Sequence, residues 1–208
     1  MPRVNQSQPG KPRTLASARV LVLGPTTPSS SLRKLVAFAL KQHRTPSGYV
    51  AFVAHPLPNG RVRSFEFLVA SGVAEPQLSS LRRERALPVL SRILDVIITA
   101  LFLARSRRRY DLCIGAGLHM ILLGILLKKV HVVRETAGFA MDYWPNKFGK
   151  WGLGRLYRWL DDFCFTHVDF VLNSSPAMVE DRTRRGVRVD PERQVLVPHL
   201  IEETHEVV

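Results

Sequence analysis

Short apolar runs alternate with longer stretches of helical spacing along most of the chain. Arg19 to Leu23 (RVLVL) reads as a strand closed by Gly24, and Leu32 to Gln42 places Leu35, Val36, Ala39 and Leu40 on one helical face behind a Ser30 or Ser31 cap. Tyr49 to Ala54 predicts a second strand, stopped by His55-Pro56, and an Asn59-Gly60 turn precedes a third at Ser64 to Val69. Ala70 to Leu87 reads as loop. Pro88 opens a helix to about Arg105, Asp111 to Gly115 is a fourth strand, and Leu118 to Lys129 is an apolar helix. His131 to Arg134 follows as a fifth strand, Leu153 to Phe165 as a helix, Asp169 to Asn173 as a sixth strand, Pro176 to about Arg185 as a helix and Gln194 to Val197 as a last strand. Such alternation predicts an α/β fold: a doubly wound, Rossmann-like parallel sheet of about seven strands with helices on both faces.

Composition narrows this picture in a few places. At 208 residues, 46% of them hydrophobic and 23% charged, the chain suits one large globular domain. Residues 1–18 read as a flexible basic tail, 19–199 as the domain, and 200–208 as a linker or terminal tail. With Cys113 and Cys164 as the two cysteines, a disulfide framework or a cysteine-based metal cluster is excluded by count, and no metal site is expected. The start of the chain lacks the apolar core of a signal peptide. Ile93 to Ala104 and Leu118 to Leu127, the longest apolar runs, are shorter than the ~18–20 residues of a membrane span. These features predict a cytoplasmic protein.

Charge adds a partner class. A net charge of +13 concentrates in Arg82, Arg83, Arg85, Arg92, Arg105, Arg107, Arg108 and Arg109, and again in Arg182, Arg184, Arg185 and Arg188. Nucleic acid, an anionic membrane face and a phosphorylated substrate all fit such charge. No helix-turn-helix, RNA-binding sheet motif or zinc finger is recognisable, so nucleic acid ranks lowest.

Ligands of doubly wound sheets bind beyond the carboxyl ends of the strands, where strand order reverses, and the first and fourth strands are the expected pair there. Their loops are GPTTPSSS, offering Gly24, Thr26, Ser29 and Ser30, and GAGLH, offering Gly117 and His119. The first loop matches neither the dinucleotide fingerprint nor the P-loop, which disfavours nucleotide binding by it. Its helix start remains able to hold an anion. Past the fifth strand, AGFAMDYWPNKF presents Asp142, Tyr143 and Asn146, a mixture suited to sugar stacking and hydrogen bonding. Glu135, placed by this reading at a strand end, is the carboxylate expected to do acid or base work, beside His119 and Asp142.

Tyr143 to Met178, YWPNKFGKWGLGRLYRWLDDFCFTHVDFVLNSSPAM, resembles a segment of retaining GT-B glycosyltransferases, particularly the family 4 group. The shared order is a Pro-x-x-Phe loop, a helix carrying Tyr and Leu-Asp, an Asp-led strand and a Ser-capped helix. RVLVLG, YDLCIGAG and RQVLVPH resemble the first, fourth and last strands of that family's N-terminal domain, so the similarity covers roughly residues 19–199. The resemblance implies one half of a GT-B fold: an N-terminal, acceptor-binding domain of an enzyme that moves a sugar from a nucleotide-sugar co-substrate to a glycan or lipid-linked acceptor. It implies no further cofactor, and a donor held by a second domain absent from these residues, so that this chain alone is inactive. Gly24-Pro25 departs from the glycine pair of many members, and Arg134-Glu135 from a histidine near the fifth strand's end. Two alternatives stand beside this expectation: the acceptor subunit of a split transferase whose partner chain carries the donor domain, and a non-catalytic basic binding module. The stretch Arg82 to Arg109 with its apolar helix would rest on anionic lipid, making the protein peripheral on the inner face of the plasma membrane.

Overall fold

A computed structural model of the chain describes residues 17–25, 48–55, 64–70, 77–82, 88–140 and 152–197. The expected helix at 32–42 and the loops at 26–31 and 141–151 lie outside them. The described strands are β1 (Arg19–Pro25), β2 (Tyr49–His55), β3 (Ser64–Ala70), β4 (Gln77–Arg82), β5 (Tyr110–Ala116), β6 (Val133–Ala140), β7 (Phe170–Asn173) and β8 (Gln194–Leu196). Between them run α1 (Pro88–Ser106), α2 (Leu118–Lys129), α3 (Leu153–His167) and α4 (Pro176–Arg184).

All eight strands form one sheet in the order β4, β3, β2, β1, β5, β6, β7, β8. Six of them, β1, β2 and β5 to β8, are mutually parallel, one fewer than expected, while β3 and β4 extend one edge antiparallel. This is an α/β Rossmann-like fold. Because β1 pairs with both β2 and β5, strand order reverses between β1 and β5, as the sequence reading placed it.

Two elements differ from expectation. The stretch read wholly as loop contains β4, which pairs with β3 from Ser64↔Arg82 to Val69↔Gln77. The fifth-strand run does not stop near Arg134: β6 continues to Ala140 and keeps its pairing to β5 through Ala116↔Phe139.

Side chains alternate between the faces of a strand, and each face here builds its own core. Leu21, Leu23, Ala51, Val53 and Cys113 pack with Leu103 of α1 and with Met120, Leu123 and Leu127 of α2. Ile121 and Ile125 of α2 join Cys164, Phe165 and Met178 over β6 and β7. On the opposite face Val20, Val22, Val50, Phe52, Ile114, Ala116 and Phe139 are buried as well, so both faces of the sheet are covered. Both cysteines are free and buried, and burial pushes each thiol up to about 12. Among the described residues no helix is long and apolar enough to cross a membrane.

A candidate site at the strand reversal

The turn from β5 into α2 is set by two glycines with different tasks. A Cβ on Gly115 would lie 2.9 Å from the backbone N and Cα of Ile121, so only glycine lets the helix start this close to the sheet. Gly117 adopts φ +87° and caps α2 through its carbonyl, which accepts from the amides of Met120 and Ile121. The first turn of α2 carries no side-chain cap, leaving its leading amides directed at the carboxyl edge of the sheet.

His119 folds back on that turn, its Cε1 and Nδ1 atoms within 3.4 and 3.6 Å of where a Gly117 side chain would begin. Burial, and after it the positive charge of Arg92, pulls its pKa down to about 3. The imidazole is therefore neutral near pH 7. It can donate one hydrogen bond and accept another, but with so low a pKa it is a weak base.

Arg92 belongs to a polar row on the inner side of α1 that sequence reading did not assemble. Its Nη1 lies 3.5 Å from Asp95, whose side chain is fully buried, and one turn further the Thr99 hydroxyl donates to the Asp95 carbonyl at 2.8 Å. Thr99 Oγ1 also stands 3.5 Å from Nε2 of His55, the last residue of β2 and itself 1% exposed. His55, Thr99, Asp95 and Arg92 thus run from the end of β2 along α1, and the charge of Arg92 is felt by His119 beyond the end of β5. The available signal was Asp95 interrupting an apolar helix, with Arg92 three residues before it and Thr99 four after.

Glu135 does not belong to this edge. It is the third residue of β6, paired in register with Leu112, and its half-exposed carboxylate lies 4.0 Å from Arg134. Five residues of strand separate it from the end of β6 at Ala140, about 16 Å. The premise that a strand ended beside Glu135 fails because small residues, Thr136-Ala137-Gly138, carry the strand onward. Gly24 is buried in the last turn of pairing between β1 and β2, opposite Ala54. Thr26, Ser29, Ser30, Asp142, Tyr143 and Asn146 lie outside the described residues.

Two further polar groupings hold the scaffold. Asp169, entering β7, accepts from Lys128, from the Thr136 amide at 2.8 Å and from the Thr136 hydroxyl at 3.0 Å. Desolvation alone would raise its pKa, but the Lys128 and Thr136 bonds outweigh it and hold the carboxyl below its usual value. Arg182 of α4 is buried, donates to Asn173 at the end of β7 at 2.6 Å and lies over the Phe165 ring at 3.7 Å. Beside it Arg185 pairs with Asp161, Asp162 and Asp181, tying α4 to α3. Among the described residues no group of three or more His, Cys, Asp or Glu is placed to hold a metal ion.

No family model matches the chain, and no curated protein matches it. Among solved structures it is similar to the catalytic domain of starch synthase IV from Arabidopsis thaliana bound to ADP and acarbose, with a TM-score of 0.51 at 8% identity. The match covers 88% of this chain and 51% of that one, so the chain spans about half of that catalytic domain. At this identity the likeness shows the fold alone: an α/β Rossmann-like domain like one half of that catalytic domain.

Proposed function

We propose that the chain is the acceptor-side domain of a retaining sugar transferase, completed by a second domain that binds the nucleotide-sugar donor. The observation that carries this reading is the match of nearly the whole chain to half of a glycosyltransferase catalytic domain. The first loop favours the acceptor side, since GPTTPSSS lacks the glycine pattern that cradles a diphosphate. In this reading the edge between β1 and β5 forms the acceptor wall. Neutral His119 and the uncapped start of α2 orient an acceptor hydroxyl by hydrogen bonds, while Arg92 faces an acceptor phosphate in a lipid-linked substrate. His119 does not take the proton of that hydroxyl; with a pKa of about 3 it positions and does not deprotonate. The donor domain resides further along the same polypeptide or in a partner chain.

Amide NMR of the full chain tests the assignment, with a polyprenyl-phosphate-linked sugar, acarbose, and ADP or UDP as separate probes. The expected result is a concentration-dependent shift of the Gly115, Gly117 and His119 amides with one of the saccharide probes and none with the nucleotides. A nucleotide that shifts these amides while the saccharides do not would reassign the domain to the donor side. Silence from every probe would remove the transferase reading.

A further inference from the structure

The outer face of the helical layer is not dressed as an ordinary surface. On α1, Ile93, Ile97 and Leu101 recur every fourth residue and are 52%, 46% and 65% exposed, so they form one stripe along the side turned away from the sheet. On the adjoining α2 Leu126 is 48% exposed, and Val130, just past its last residue, is 66% exposed. Scattered apolar side chains are normal on a surface, but a stripe of three along one helix beside two more at the end of its packed neighbour is more than scatter.

A basic collar closes one end of it. α1 and α2 each end where the chain turns back into a strand, so both C-termini meet at the amino edge of the sheet. Arg105 continues the α1 stripe, Arg107 and Arg109 follow in the turn to β5, and Lys129 ends α2; all four are exposed. Helix dipoles account for a cation in each last turn, which Arg105 and Lys128 already supply. The acidic groups nearby are committed elsewhere: Asp95 to Arg92, Asp111 to Arg19, Glu135 to Arg134 and Asp169 to Lys128. Among the described residues Arg105, Arg107, Arg109 and Lys129 take part in no ion pair.

The backbone supplies a second sign. Arg107, one past α1, and His131, two past α2, sit at φ +50° and +58°, the left-handed conformation that glycine adopts without penalty. After α2 this is a Schellman turn, with the Val132 amide donating to Leu127 and the His131 amide to Lys128. Histidine is one of the residues that tolerates this conformation, but at Arg107 the chain places an arginine where backbone energetics favour glycine, and strain of this kind points to a task for the side chain.

We infer that the outer face of α1 and α2, with its basic collar, docks on an anionic phospholipid surface. The apolar stripe enters the headgroup boundary while Arg105, Arg107, Arg109 and Lys129 engage lipid phosphates. The stripe is what selects lipid over nucleic acid, which needs charge and not five exposed aliphatic side chains. This inference does not depend on the transferase reading, and its test uses no sugar.

The experiment is co-sedimentation of the full chain with phosphatidylcholine vesicles, with and without phosphatidylglycerol. Binding is expected to require phosphatidylglycerol and to weaken as salt rises. Arg107→Gly removes a charge while relieving the turn, so this variant melts at or above the parent temperature yet binds about fivefold more weakly, the equivalent of roughly 1 kcal/mol for one basic residue near the surface. The double variant Ile97→Gln, Leu101→Gln, altered only at exposed positions, loses still more. Equal binding to neutral vesicles, or parental binding by Arg107→Gly, would overturn the inference. So would a chain that ignores vesicles and dimerises until Ile97 and Leu101 are replaced, which would make the patch a protein interface.

Discussion

His119 shows how placement, more than residue type, decides what a side chain can do. The same imidazole free in water would titrate near 6.5, but burial on the closed Gly117 turn, and after it the charge of Arg92, holds it to about 3. The unfolded chain therefore takes up this proton first as the pH falls. The contribution to stability is complete above about pH 6.5 and is lost progressively toward pH 3. Between pH 7 and 5 the protein should lose roughly 1–2 kcal/mol of unfolding free energy through this residue. Urea unfolding of the parent and of His119→Gln at the two pH values checks it, since the variant should lack that increment. An equal pH slope in both would show that the imidazole is not kept neutral.

Among the elements, α3, α4 and β7 depend on one buried guanidinium. Arg182 reaches Asn173 with Nη1, covers the Phe165 ring and lies 3.9 Å from Asp161, so it meets an amide, an aromatic face and a carboxylate at once. Lysine cannot reproduce a planar group that stacks and donates from several nitrogens. Arg182→Lys should cost about 3 kcal/mol, near the lower end for breaking a buried charged group from its partners, and Arg182→Ala as much or more. Thermal melts followed by circular dichroism measure this. A lysine variant within experimental error of the parent would mean that Arg185, with its three carboxylate partners, holds α4 alone.

The same scale explains what was legible in the chain. β5 and α2 were read nearly to the residue because an apolar run, two glycines and a polar C-terminus punctuate them. β6 was cut short because Thr136, Ala137 and Gly138 look like a loop. Those residues are small because the space above them is already filled: a side chain on Gly138 would meet the Phe165 ring at 3.0 Å. β4 was missed because QLSSLR has no period-two pattern, and its pairing comes from β3 alongside. The polar row at the strand reversal was out of reach for a different reason. His55 and Thr99 are 44 positions apart, and only the fold makes them neighbours.

At the scale of the molecule, the seam between β1 and β5 holds the two runs of strands together. Arg19 fastens it at the amino edge, donating from its backbone amide at 2.9 Å, from Nε at 3.1 Å and from Nη2 at 3.1 Å to the Asp111 carboxylate. The side chains of the pair are 33% and 14% exposed, so solvent weakens but does not remove the attraction. Asp111→Ala strands three donors and should cost about 2 kcal/mol, seen as a lower urea midpoint with an unchanged slope. A shallower slope would instead report that the two runs of strands unfold separately.

That seam also sets a timetable for the growing chain. Arg19 leaves the ribosome 92 residues before Asp111, an interval of roughly 5–18 s at bacterial or eukaryotic rates of synthesis. During it one edge of RVLVLGP, a strand destined for the centre of the sheet, has no neighbour to pair with. The nascent protein thus carries a sticky, unfinished centre throughout that interval, and a chaperone that shields short aliphatic strands would find its substrate there.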